Sequence, residues 1–273
     1  RETYLKGEER MRRLNVILTA VVFSILTSGI SNAALTGQWQ FEGNANDSIG
    51  SNDGTMHGGE FTQGLRGSGA LLLDGVDDYV SLADYAVTGT EFTITVWANH
   101  YGPGGGDYQR NSIFLQNDDT ATGGNGQSII GLHTYVIPYD NPSLESSRAD
   151  IRSISQNDGG VFQKLHAGYE PWNEWHHYAM TVGEDYLTLY IDGVLVGQEA
   201  NLQTGDYTTS VDYVDIGRNR WNSENRGFFN GAIDDLRIYD EALSQTQINN
   251  EVIPEPATIL LLGAGGLLLR KRG

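Results

Sequence analysis

Cysteine is absent from the 273 residues. No disulfide can staple the fold and no cysteine–histidine framework can hold zinc, so the structure must stand on its hydrophobic core. Cations are scarce as well. Between Ala34 and Val252 there are 31 acidic residues against 9 basic ones, a net charge of −22. Such a surface repels phosphate backbones and argues against nucleic acid as a partner. It suits a salty or calcium-containing exterior.

Motifs for several chemistries are also missing. There is no Gly-x-Ser-x-Gly nucleophile elbow. The stretch "YGPGGGDY" has no following Lys-Ser/Thr and is not a phosphate loop. No His-Glu-x-x-His occurs, and of the 6 histidines only His176 and His177 are neighbours. Adjacent residues on a strand face opposite sides, so that pair cannot easily ligate one metal.

What is present is organised first by the two ends. Met11-Arg12-Arg13 makes a positive start, Leu14 to Ile30 is mostly apolar, and Ser31-Asn32-Ala33 supplies small residues. That layout predicts a secretory signal peptide over 11–33, cut after Ala33 by signal peptidase. Residues 1–10 precede the start at Met11 and read as upstream additions. At the other end, Ala257 to Leu269 is an apolar run of 13 residues. As a helix it reaches about 20 Å, against a bilayer core of about 30 Å, so it is a marginal span. Arg270, Lys271 and Arg272 would stay on the cytoplasmic side. The ending "PEPATILLLGAGGLLLRKR" places Pro254-Glu255-Pro256 before that run and a basic cluster after it. It resembles a PEP-CTERM sorting signal over 253–273. The resemblance implies transient insertion in the inner membrane of a Gram-negative bacterium and removal of the tail by exosortase. It also implies a secreted, cell-surface destination in an exopolysaccharide or biofilm context.

The region 34–252 has the length of one all-β domain. In "FTITVWA", Phe92, Ile94, Val96 and Ala98 alternate with Thr93, Thr95 and Trp97. In "LTLYID", Leu187, Leu189 and Ile191 share one side. A period of two predicts strands. Asp192-Gly193 between "LTLYI" and "VLVG" is a type I′ hairpin signal. "WHHYAMTV", "GALLLD", "DYVSL", "SIIGLHTYVI" and "IDDLRIYD" add further strands, separated by Gly, Asn and Asp turns. Only "EALSQTQINNEV" reads as helix. Many short strands with this punctuation predict an all-β sandwich or jelly roll of two antiparallel sheets.

The order of motifs carries a second resemblance. "LTGQWQFEGNANDSIGSNDGT", "GSGALLLDGVDDYVSL", "FTITVWA", "EWHHYAMTV", "LTLYIDGVLVG", "VDIGRN" and "FFNGAIDDLRIYDEALSQTQI" follow one another. This series resembles a laminin-G-like, concanavalin A-like jelly roll across nearly all of 34–250. The stretch from His100 to Ala167 departs from the family pattern and is longer and more irregular. The same fold hosts laminarinase-type glycosidases with Glu-x-Asp-x-x-Glu on one strand. Retaining hydrolysis needs two carboxyl groups about 5 Å apart. No such string occurs; the nearest is Glu170 and Glu174 in "EPWNEW", interrupted by Pro171. The expectation is therefore no catalytic residues and no enzyme.

Two constellations remain. Asp234 in "GAIDDLRIYD" shares parity with Ala232, Leu236 and Ile238, which predicts a core-facing carboxylate. A buried carboxylate must be paired, hydrogen-bonded or bound to metal. Near the start, "FEGNANDSIGSNDG" offers Glu42, Asn44 and Asp47, hard oxygen donors suited to Ca²⁺. The family resemblance implies a structural Ca²⁺ tying the first strand region to the last, and maps one ligand onto Asp234. The alternative is that Asn44 and Asp47 cap turns and Asp234 meets an arginine or backbone amides. Asp77 and Asp78 in the Asp-Gly hairpin "DGVDDYV" could bind metal, but the family resemblance implies a structural turn. For a ligand, "GRNRWNSENRGFF" places Trp221 in a polar loop with Asn219, Arg220 and Asn222. An aromatic face among planar hydrogen-bonding groups is how proteins hold sugars. Asn117 to Asp119, or Tyr101 and Tyr108, could supply the other half.

These observations predict an exported, non-catalytic surface protein that binds carbohydrate, or exopolysaccharide, or acts as an adhesin. The rivals are a polysaccharide hydrolase or lyase on the same fold, and a matrix protein with no discrete ligand. The intact mass of the native surface protein should lack Met11 to Ala33 and most residues after Pro256. A mass that retains Leu260 to Arg272 would contradict the temporary tail.

Overall fold

The computed structural model describes residues 33–83, 85–102, 110–118, 127–136, 144–151, 163–202, 211–221 and 224–253. The leader and the sorting residues Pro254, Glu255, Pro256, Arg270, Lys271 and Arg272 lie outside the described residues. Among the described residues, no helix is long and apolar enough to cross a membrane.

The strands in chain order are β1 (Leu35–Trp39), β2 (Thr55–His57), β3 (Glu60–Gln63), β4 (Gly69–Asp74), β5 (Tyr79–Ser81) and β6 (Phe92–His100). Next come β7 (Arg110–Asp118), β8 (Gln127–Val136), β9 (Leu144–Ile151), β10 (Gln163–Pro171), β11 (Trp175–Val182) and β12 (Tyr186–Ile191). The series closes with β13 (Val194–Ala200), β14 (Tyr213–Ile216), β15 (Arg218–Trp221), β16 (Glu224–Phe228) and β17 (Asn230–Tyr239). A helix, α1 (Gln245–Val252), follows. The first sheet runs β13-β12-β11-β6-β17-β4-β3, with β1 also on β17. The second runs β10-β9-β8-β7-β14-β5-β2, and β15 with β16 forms a small third one. Every strand pairing described is antiparallel. This is the all-β jelly-roll sandwich that the alternation predicts.

The core lies between the two large sheets, and the period of two selects it. Phe92, Ile94 and Val96 of β6, Tyr178, Met180 and Val182 of β11, and Leu187, Leu189 and Ile191 of β12 form one wall. Val80, Ile130, Leu132, Val214 and Ile216 belong to the same cluster from the second sheet. Each such side chain contributes about 1.5–3 kcal/mol on leaving water. The β12–β13 turn is of the predicted kind, with positive φ at Asp192 (51°) and Gly193 (76°), as a type I′ turn demands.

Two expectations change. The irregular stretch after His100 contributes four regular strands, β7 to β10, in consecutive antiparallel pairs. Helix α1 is shorter than "EALSQTQINNEV" predicts. Ser244 stops it at the N-terminus with a capping box, accepting from the Gln247 amide while the Gln247 side chain accepts from the Ser244 amide. That reciprocal pairing satisfies two otherwise orphan donors. Ile248 is the buried anchor of the helix.

β17 carries the first sheet. One edge pairs along β6; the other is shared between β4, over Asn230–Ile233, and β1, over Leu236–Tyr239. Gly231 sits at φ 150°, and a Cβ there would meet the Asn99 carbonyl oxygen at 2.2 Å. Gly231→Ala should therefore lower stability by about 3 kcal/mol in chemical denaturation, through backbone strain and loss of the β6 contact. A loss below about 0.5 kcal/mol, typical of a tolerant surface site, would mean that β17 and β6 do not meet here as described.

Candidate functional site

The β17 ladder is broken between Asp234 and Arg237, where the pairing with β6 shifts. Asp235 takes φ 48°. This bulge overturns the parity argument. Ile233, Leu236 and Ile238 are core residues, so the inward set changes from one parity to match the other across the bulge. Asp234 is opposite Trp97, whose neighbours Val96 and Ala98 point into the core instead. Asp234 is nonetheless fully buried, because the loop 64–68 between β3 and β4 covers it. Its Oδ2 accepts from the amides of Leu65 (2.8 Å) and Arg66 (2.7 Å). Its Oδ1 is buried and has no hydrogen-bond partner.

The same loop is held by a second carboxylate. Glu42 Oε1 accepts from the Ser68 amide at 2.7 Å, and Oε2 accepts from the Ser68 hydroxyl. A Cβ on Gly67, at φ 68°, would lie 1.8 Å from Glu42 Oε1. Glu42 and Asp234 line one pocket of about 480 Å³, together with Gln38, Gln40, Arg66, Gly67, Asp235 and Arg237. Burial pushes the Asp234 carboxyl up to about 7; the Arg66 and Leu65 amides pull it back, and the charges of Asp235 and Glu42 push it further up. The Ser68 hydroxyl bond holds Glu42 below the usual carboxylate range.

Asp235 is neutralised separately. It accepts from Gln38 Nε2 (2.8 Å) and Arg237 Nε (3.0 Å), and pairs with Arg66 Nε at 3.4 Å. Arg237 also pairs with Glu251 of α1 at 2.8 Å.

Asp47 and Asn44 are committed elsewhere. Asp47 Oδ1 accepts from the Gln38 and Ile49 amides, and Oδ2 from the Asn52 amide and side chain. Burial works upward on Asp47, but those bonds hold it below its ordinary value. Asn44 Oδ1 accepts from the Asn46 amide at 2.9 Å. Both are turn caps, so of the four residues read as metal ligands only Asp234 and Glu42 share a pocket. A different trio, Asp74, Asp77 and Asp78, brings three carboxylate oxygens within 4.8 Å of one another and can hold a metal ion. Asp74 also caps its own turn, accepting from the Val76 amide.

The polar stretch after Gly217 is a hairpin rather than a loop. β15 pairs with β16, Arg218 opposite Phe228 and Trp221 opposite Glu224. Arg218 is buried against Asp215 (2.8 Å) and lies over Tyr79, 3.5 Å from the ring centre; Tyr79 stacks on His57 at 4.2 Å. Burial raises the Asp215 carboxyl and the Arg218 charge opposes that rise. Arg220 lies over Tyr213 at 4.0 Å. Asn117 donates to the Tyr213 hydroxyl, and Tyr213 is its register partner across β14 and β7. The structure thus brings Asn117 and Arg220 together at Tyr213. Asn219 is buried, with neither amide atom hydrogen-bonded. Asn222 and the Trp221 side chain lie outside the described residues. Tyr213, Tyr79 and Asp215 were missed; the signal was the shared parity of Tyr213 and Asp215 one strand from Asn117.

The histidine pair and the glutamates behave as packing predicts. The His177 ring meets Trp97 edge-on at 5.3 Å, and burial drives it down to about 3. His176 Nδ1 lies 2.8 Å from Asp192 Oδ2. Pro171 ends β10, so Glu170 is on that strand while Glu174 is in the turn before β11.

A family model described as the concanavalin A-like lectin/glucanases superfamily, of laminin G type, matches residues 74–249. The chain belongs to this superfamily. No curated protein matches it. Among solved structures, it is similar to domain 4 of AbnA, a GH43 extracellular arabinanase from Geobacillus stearothermophilus, solved with arabinotriose. The identity is 21% with a TM-score of 0.56, over 81% of this chain and 99% of that one. It is also similar to the CBM40 of the Ruminococcus gnavus IT-sialidase, bound to α2,3 sialyllactose: 13% identity, TM-score 0.52, 67% of this chain and 96% of that one. The receptor-binding domain of botulinum neurotoxin D matches at 14% identity and TM-score 0.52, over 80% of this chain and 52% of that one. At such identities the likeness is one of superfamily fold.

Asp234 titrates upward in the fold, so its folded state holds a proton more tightly than the unfolded chain. Its contribution is full below about pH 4 and is lost as pH rises through about 7. In EDTA, the melting temperature of Asp234→Asn relative to wild type should rise across that window. A constant difference between the two proteins would show that Asp234 does not titrate there.

Proposed function

We propose that this chain is an exported, non-catalytic domain that binds extracellular carbohydrate at the β15–β16 hairpin. The observation that carries the reading is the platform at Tyr213, where the Arg220 guanidinium lies over the ring and Asn117 meets the hydroxyl. A guanidinium over an aromatic ring offers a sugar an amphipathic face and charged N–H donors. Trp221 closes β15 next to this platform. The arabinotriose and sialyllactose held by two structural relatives support carbohydrate as the ligand class.

The Asp234–Glu42 pocket takes a structural Ca²⁺. An orphaned, buried Oδ1, a second carboxylate and oxygen-bearing Gln38 and Gln40 are the hard donors that this ion prefers. Binding would stabilise the fold by about 2.7 kcal/mol at a hundredfold excess over Kd. The leader directs export, and the PEP-CTERM-like tail directs sorting to the surface of a Gram-negative cell.

One stacking contact and a few solvent-competing hydrogen bonds give a Kd on the order of 10⁻³ to 10⁻⁵ M, about 4 to 7 kcal/mol. Adhesion then needs many copies on one surface. In a polysaccharide-binding assay, Trp221→Ala should weaken retention while the melting temperature stays nearly unchanged. An unfolded variant would make Trp221 a core residue, and release of reducing sugar by the wild type would install the enzyme reading instead. Retention on no polysaccharide would leave the matrix-protein reading.

A further inference from the structure

Helix α1 ends at the C-cap Ile253, and its last turn contains no basic residue of its own. The final carbonyls of a helix carry partial negative charge and need a donor. Here the donor comes from almost the far end of the domain. Arg66 Nη2 donates to the carbonyls of Glu251 and Ile253, the latter at 3.1 Å. The amide of the same residue donates to Asp234 Oδ2. Arg66 is buried, so solvent does not substitute for either contact. One residue therefore touches the pocket with its backbone and the C-terminal end of the domain with its side chain.

The loop that presents Arg66 is fixed by few contacts. Asp234 holds the amides of Leu65 and Arg66, Glu42 holds Ser68, and Gly64 donates to the Ser68 carbonyl at 3.3 Å. Both of these carboxylates line the pocket, beside Asp235, which the arginines and Gln38 neutralise. Two carboxylates of like charge lining one pocket repel each other, and a cation between them removes that repulsion.

We propose that a divalent cation in the Asp234–Glu42 pocket locks the C-terminal exit of the domain through Arg66. This rests on the reading that the pocket takes Ca²⁺. The coupling is reciprocal by thermodynamic necessity: whatever loosens residues 251–253 weakens the cation by the same factor. The segment beyond Ile253 thus leaves from an anchored point when the ion is bound and from a looser one when it is not.

Hydrogen exchange followed by mass spectrometry on the full chain tests this, in Ca²⁺ and in EDTA. Amides of 245–253 should exchange about tenfold more slowly with Ca²⁺, a factor within the range of coupled sites. Arg66→Lys keeps the charge but cannot reach both carbonyls and Asp235 at once. It should abolish the difference at 245–253 and weaken Ca²⁺ by a similar factor in calorimetry. Ser244→Ala loosens α1 from its other end without touching the pocket, and should weaken Ca²⁺ even if Arg66→Lys does not fold. If Ca²⁺ raises the melting temperature while exchange at 245–253 is unchanged, the coupling is wrong and the metal reading stands. If Ca²⁺ neither binds nor raises the melting temperature, the metal reading fails and the lock fails with it.

Discussion

A carboxylate sealed beneath a loop sets the terms for its surroundings. Asp234 is inaccessible to water, and a buried charge without partners costs several kcal/mol. The chain meets that cost by folding a loop over it and aiming two amides at one oxygen. It places the next residue, Asp235, among two arginines and a glutamine. The bulge in β17 makes both arrangements compatible, since an unbroken ladder would send successive side chains to opposite faces. From this point the ties spread to β1 through Gln38, to the 64–68 loop through Arg66, and to α1 through Glu251.

The opposite sheet solves a similar problem with different chemistry. Asp215 is as deeply buried as Asp234, but its partner is a guanidinium three residues on, at the start of the β15–β16 hairpin. Tyr79 and Tyr213 then carry Arg218 and Arg220 on their ring faces. In a domain with so few cations, two of them are spent on arming one hairpin.

How far the sequence reveals this depends on the range of the forces involved. The alternation of Phe92, Ile94 and Val96 and the Asp-Gly turn at 192 are local, and both are legible. So is the Ser244–Gln247 capping box, although it shortens the helix that the pattern predicts. The inward side of Asp234 is misread because a bulge has no sequence mark beyond a doubled aspartate, and one extra residue flips every side chain after it. Asp47 has the right chemistry for metal and is used up by amides two and five residues away. The hairpin at 218–228 looks like a loop because its residues are polar, and the burial of Arg218 and Asn219 comes from strands distant in sequence. Strands β9 and β10 hide for a related reason: their pairing comes from neighbours, and their composition carries little apolar rhythm.

The pairing of β1 with β17 has a kinetic side. Ala34 donates to Asp240 across 206 residues of chain, and Leu35 lies opposite Tyr239. Contacts so distant in sequence form slowly, because loop closure comes before any reward. β17 is also the sole link between β6 and both β4 and β1. Until the last tenth of the domain has emerged from whatever makes or moves it, those three strands have open edges. Closure of the first sheet is therefore held back until synthesis of the domain is nearly complete.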